Sequence, residues 1–144
     1  MECPMPTINT NDANEIKKIL QEVKTIAIIG LSPNEAKQSN MVARYLQNAG
    51  YKIIPIYPKE EFILGEKVYR SLDEIEEKVD MVDMFRKPAI AESLLDSVLK
   101  RDDVKVFWLQ LGIVNNEACQ RAKKAGLKVV QNRCSKIEHQ RLMK

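Results

Sequence analysis

The sequence predicts an α/β fold, a doubly wound parallel sheet of about five strands with helices on both faces. Three observations carry this expectation. Short apolar runs alternate along the chain with segments whose apolar residues recur at helical spacing. The first run, IAII at 26–29, drives straight into Gly30, as in the opening strand of a Rossmann unit. Glycines close helical segments at Gly50 and Gly126, where positive φ is tolerated at no steric cost. Strand–helix alternation with right-handed crossovers then gives a sheet covered on both sides.

The elements follow in order. Residues 1–11, with Pro4 and Pro6, predict a flexible N-terminal arm, and 12–144 a single domain. From Asp12 a helix is expected, because Ile16, Ile19, Leu20 and Val23 share one face. The first strand is 25–29, and a helix over 39–48 places Met41, Val42, Tyr45 and Leu46 together. Residues 52–57 (KIIPIY) read as the second strand, and 62–69 as a connector turning at Gly65. Ser71 to Glu74 has the S-x-x-E form of a capping box and predicts a short helix. A strand at 81–85 is followed by a helix from Pro88 to about Lys100. The last elements are a strand at 104–109, a helix from Asn115 or Asn116 to Gly126, a strand at 128–131, and a terminal helix capped by Ser135.

Composition narrows the function classes. A net charge of +3, with 23 basic residues interleaved among 20 acidic ones, is too small to imply nucleic acid. No apolar run approaches the ~18 residues of a membrane span. Three cysteines at unrelated spacings and one histidine leave a zinc site short of ligands. The reading is free thiols and a cytoplasmic location. Catalytic constellations are missing: Ser32 has no evident histidine base, and His139 is expected on a solvated helix.

In such a sheet, ligands sit beyond the carboxyl ends of the strands. Those positions are 30–34 (GLSPN), 57–59 (YPK), 85–88 (FRKP), 110–112 (QLG) and 132–134 (NRC), a set holding cations and amides but no aspartate or glutamate. That lining suits an anion. Gly30 admits a close backbone approach. Ser32, Ser39 and Asn40 offer donors, Lys37 a cation, and the first amides of the next helix a positive dipole end. A plain strand-to-helix turn with Ser39 as N-cap explains the same stretch, and one glycine does not decide. An NAD protein usually ends its second strand in an acid, whereas here Pro58-Lys59 follows, which suits an extra ribose phosphate, as in NADP or coenzyme A. Lys59 precedes Glu60 and Glu61, so a plain surface lysine stays open. Cys134 beside Arg133 is either a thiol activated by its neighbour or a half-buried structural one.

The ordered strand ends resemble the small stand-alone CoA-binding proteins, whose domain is similar to the CoA-binding domain of the succinyl-CoA synthetase α subunit. The segments are IAIIGLS at 26–32, VARYL at 42–46, GYKIIPIYP at 50–58, ILGEKVY at 63–69, VDMFR at 82–86, WLQLG at 108–112, and Arg133-Cys134 with 137–139 (IEH). The resemblance covers about residues 12–142 and implies a Rossmann-like fold holding coenzyme A or an acyl-CoA. Carried onto this chain, it implies that Gly30, Leu31 and Ser32 approach the pyrophosphate and that Lys59 lies near the adenosine phosphate. Phe85, Arg86 and Lys87 would border adenine and ribose, with Gln110 and Gly112 along the pantetheine arm. It transfers binding and not ligase chemistry, since the synthetase needs a phosphohistidine and a partner subunit. An NADP-dependent reductase and a ligand-free interaction module are the alternatives. Arg133-Cys134 in the rim also raises a mixed disulfide with the pantetheine thiol.

Overall fold

The computed structural model describes residues 13–143; the expected arm at 1–11 and Cys3 lie outside the described residues. The described chain runs α1 (Ala13–Glu22), β1 (Thr25–Ile29), α2 (Gln38–Asn48), β2 (Lys52–Ile56), β3 (Phe62–Ile63), β4 (Glu66–Lys67), a 3₁₀ turn (Leu72–Glu74), β5 (Met81–Met84), α3 (Ile90–Leu99), β6 (Val106–Leu109), α4 (Asn116–Lys124), β7 (Lys128–Val130) and α5 (Ser135–Leu142). Five strands form one parallel sheet in the order β2-β1-β5-β6-β7. The order reverses between β1 and β5. That is the switch point, where crossovers depart to opposite faces and leave a crevice at the carboxyl ends.

Strand alternation divides the core in two. Ile26, Ile28, Met81, Val106 and Trp108 face α1, α2 and α5. Ala27, Ile29, Val82, Met84, Phe107 and Leu109 face α3 and α4. Trp108 and Phe107 are fully buried, and each such side chain contributes about 1.5–3 kcal/mol through removal from water.

Three local expectations change. The 62–69 connector is a small antiparallel hairpin of β3 and β4, with Tyr69 beyond it bridging parallel to Ile56. The predicted capping box does not form: Ser71 caps nothing, and Glu74 Oε1 instead accepts the Arg70 amide at 2.9 Å. The 3₁₀ segment is held by Arg101, whose guanidinium donates to the carbonyls of Leu72, Ile75 and Glu77 and to both Asp103 oxygens. Ser135 does not cap α5. It is the first helical residue, Cys134 is the N-cap, and the Ser135 hydroxyl points into the sheet.

That hydroxyl meets a carboxylate inside the core. Asp83 lies in β5 between Ile28 and Trp108 in register, with no exposed surface. Its Oδ1 accepts from Gln110 Nε2 at 2.6 Å and its Oδ2 from Ser135 Oγ at 2.9 Å, while Gln110 Nε2 also donates to Ser135 Oγ at 2.7 Å. The ring ties β5, the end of β6 and the start of α5 together. Burial pushes the Asp83 carboxyl up to about 7, and the hydrogen bonds from Gln110 and Ser135 pull the other way. The folded chain therefore holds this proton more tightly than the unfolded one, whose carboxyl ionises near 3.8. Its contribution to stability is full below that lower value and is lost as pH rises through the window to about 7.

Urea unfolding checks two outcomes. Arg101→Met should cost about 2–3 kcal/mol by orphaning the carbonyls it holds; a change under about 0.5 kcal/mol would show that the segment is held otherwise. Asp83→Asn should remove one titration, so that wild type loses on the order of 2–4 kcal/mol relative to the variant between about pH 4 and about pH 7. A stability difference that stays constant across that window would show that Asp83 does not titrate there.

Candidate functional site

The crevice is built from β1 outward. Gly30, at φ +85°, turns the chain, and the Gly30 and Leu31 amides both reach the Ile56 carbonyl, at 2.9 and 3.3 Å. A Cβ at Gly30 would lie 2.8 Å from Arg86 Cδ, so the ends of β1 and β5 meet across this position. Only glycine accepts both the left-handed φ and the side chain laid over it.

The loop from Ser32 to Lys37 is tied by its own polar groups. Ser32 N donates to Ser39 Oγ at 3.0 Å, Asn34 N to Ser32 Oγ, and Asn40 Nδ2 to the Ser32 carbonyl at 2.8 Å. Arg44 closes the loop by donating to Asn40 Oδ1 and to the Glu35 carbonyl. Ser39 is not the N-cap. Lys37 takes that place in extended conformation, its side chain caps nothing, and Ser39 and Asn40 sit buried within the first turn of α2. The first-turn amides of α2 thus lack a side-chain acceptor, the condition under which a helix N-terminus receives an anion.

The other sequence-predicted residues fall on neighbouring ends. Leu31 buries its side chain, leaving only backbone toward the crevice. Pro58 and Lys59 follow β2 and are exposed, as are Lys37, Arg86 and Lys87. None of these cations has an ion pair among the described residues. Phe85 is half-buried after β5. Gly112, at φ +86°, donates its amide to Asn132 Oδ1 at 2.8 Å, and Asn132 is itself left-handed at φ +60°. This joins the ends of β6 and β7.

Three candidates point inward. Gln110 is 3% exposed, with both amide hydrogens on Asp83 and Ser135. Cys134 is buried in the core. Arg133 gives its carbonyl to Trp108 Nε1 at 2.8 Å and lies 3.7 Å from Glu138 through Nη1. His139 is not on a solvated face. It packs edge-on against Tyr45 and Tyr51, its Nδ1 is 2.7 Å from the Tyr45 hydroxyl, and burial lowers its pKa.

Sequence reasoning missed Asp83 and Arg70. Asp83 sits two residues before the end inspected in β5, and VDM reads as plain strand. Arg70 follows what looked like a connector, yet its Nη1 donates to the carbonyls of Tyr57 at 3.0 Å and Lys59 at 2.9 Å. The Val68-Tyr69 pair, a β-branched residue beside an aromatic before the turn at 70–71, was the available signal.

A separate cavity of ≈ 380 Å³ lies below β2's edge, lined by Lys67, Tyr69, Glu74, Glu76 and Glu77. Its three carboxylates repel a polyphosphate, so size does not make it the nucleotide site. No helix among the described residues is long and apolar enough to cross a membrane.

Comparison with known proteins identifies the domain. The CoA binding domain family matches residues 24–140. YneT, an uncharacterised protein of Bacillus subtilis, is 43% identical over 129 residues, spanning 87% of this chain and 92% of that one. A hypothetical protein of Pyrococcus horikoshii superposes with a TM-score of 0.90 at 38% identity, with all of both chains covered. An ADP-forming acetate–CoA ligase of Methanocaldococcus jannaschii is 24% identical over 124 residues, which are 81% of this chain and 18% of that enzyme. The relatives thus include stand-alone proteins as well as one segment of a much larger ligase. The chain belongs to the CoA binding domain family.

Proposed function

We propose that the protein binds coenzyme A or an acyl-CoA across the carboxyl ends of β1, β2, β5 and β6, and performs no ligase reaction by itself. The observation that carries this reading is the charge arrangement at the switch point. An α2 N-terminus without a side-chain cap faces the crevice, and Lys37, Lys59, Arg86 and Lys87 surround it with no carboxylate paired to them among the described residues. The family match supports coenzyme A as that anion.

In this reading the pyrophosphate lies against the first turn of α2, where Ser39 adds a hydroxyl, and the Gly30 turn, whose amides are spent on Ile56, gives it room. Arg86, whose aliphatic Cγ and Cδ lie over Gly30, closes its guanidinium on the pyrophosphate from β5. Phe85 offers an aromatic face to the adenine. The pantetheine arm runs past Leu111 and Gly112, and Leu111, 62% exposed, gives it an apolar surface. Gln110 acts by holding that turn through its bonds to Asp83 and Ser135.

Two measurements test the proposal. Native mass spectrometry of freshly purified protein, followed by calorimetric titration with coenzyme A, should show one ligand per chain; no binding at any accessible concentration would contradict it. Gly30→Ala should cost about 1–2 kcal/mol of stability from the positive φ. It should also weaken coenzyme A by at least about tenfold by pushing Arg86 off the crevice. Unchanged affinity in a folded Gly30→Ala variant would remove the β1 end from the site.

A further inference from the structure

The segment after β4 carries an additional carboxyl end. Tyr69 N donates to the Pro55 carbonyl at 2.9 Å and Tyr57 N to the Tyr69 carbonyl at 3.0 Å, which makes a parallel bridge between Tyr69 and Ile56. Tyr69 therefore stands as a one-residue extension of the sheet outside β2. Arg70 is the first residue past it, level with the turn at 57–59. By the rule that ligands gather at carboxyl ends, it belongs to the same rim as Lys59.

The Arg70 side chain is held there without being neutralised. Nη1 is spent on two neutral acceptors, the carbonyls of Tyr57 and Lys59, and the backbone amide is anchored to Glu74. Nε and Nη2 bond to nothing among the described residues. Glu60 and Glu61 line a neighbouring hollow of ≈ 210 Å³ together with Arg70, yet neither pairs with it. A guanidinium with one edge fixed and another open is pre-organised for a planar, multidentate acceptor. The Lys59 ammonium, on the turn that Arg70 holds, adds a mobile point charge beside it.

We propose that Arg70 supplies a second, fixed cation to a phosphomonoester subsite beyond β2, a fork beside the Lys59 charge that the family resemblance already implies there. It rests on the nucleotide lying across the strand ends as proposed above, and it takes the phosphate on the adenosine ribose. That chemistry is shared by the 3′-phosphate of coenzyme A and the 2′-phosphate of NADP.

Calorimetric titrations at fixed salt test it with two pairs of probes, coenzyme A against dephospho-coenzyme A and NADP against NAD. Wild type, Arg70→Met, Lys59→Met and the double variant are compared. Arg70→Met should lower affinity for the phosphorylated member of the bound pair about tenfold and leave its dephosphorylated partner within about twofold. The double variant should abolish the preference, and Arg70→Lys should restore part of it. Equal losses for both members of a pair would mean that Arg70 only braces the turn, and no loss would mean that it is a bystander; either overturns the subsite. A selective loss on NADP with no coenzyme A binding would keep the subsite and overturn the coenzyme A reading. No binding of any probe would overturn both.

Discussion

A carboxyl group buried without a cation is the constraint around which the carboxyl-terminal end of the sheet is organised. Asp83 has no exposed surface and no ion pair among the described residues; its oxygens depend on Gln110 and Ser135. Those partners belong to the end of β6 and the start of α5, so satisfying one buried group sets the spacing of three elements. The turns that border the crevice hang from that frame. Gln110 carries the Leu111-Gly112 turn, which Asn132 joins to the end of β7. An apolar residue at position 83 would leave Gln110 and Ser135 buried with unmet hydrogen bonds, at about 1–3 kcal/mol for each group.

On the other side of the switch point the solution is different. A glycine-rich dinucleotide turn lets backbone alone surround a phosphate. Here one glycine turns the chain beneath Arg86, and side chains shape the rest. Ser32, Asn34, Ser39, Asn40 and Arg44 fold the loop onto itself, which fixes its shape before any ligand arrives. Pre-ordering of this kind reduces the entropy that binding must oppose. The loop is therefore rigid through hydrogen bonds where a fingerprint turn is permissive through glycine.

Much of this was legible in the residues. Apolar runs flanked by turn residues located all five strands of the main sheet, and Gly30, Gly50 and Gly126 marked chain reversals that do occur at positive φ. The helix expected to begin at Asn115 or Asn116 does so, with Asn115 as its cap accepting the Ala118 amide. What the sequence concealed was long-range. Ser135 resembles an N-cap in any local window, and only the fold reveals that its hydroxyl is claimed by Asp83, 52 positions earlier. Glu74 resembles half of a capping box, but the Arg70 amide takes its carboxylate. His139 resembles a surface residue until Tyr45, 94 positions away, is brought beside it. Local pattern assigns elements; which polar groups become partners is decided by topology.

The central claim is the location of the ligand, on the strand ends and not in the acidic cavity beside β2. Backbone amide NMR during titration with coenzyme A tests it most directly. The account predicts that the largest shift changes fall on Gly30, the first turn of α2, Lys59, Phe85 and Gly112, with those at Glu76 and Glu77 near zero. Changes concentrated around Lys67, Glu74, Glu76 and Glu77, with the Gly30 turn and α2 silent, would contradict it.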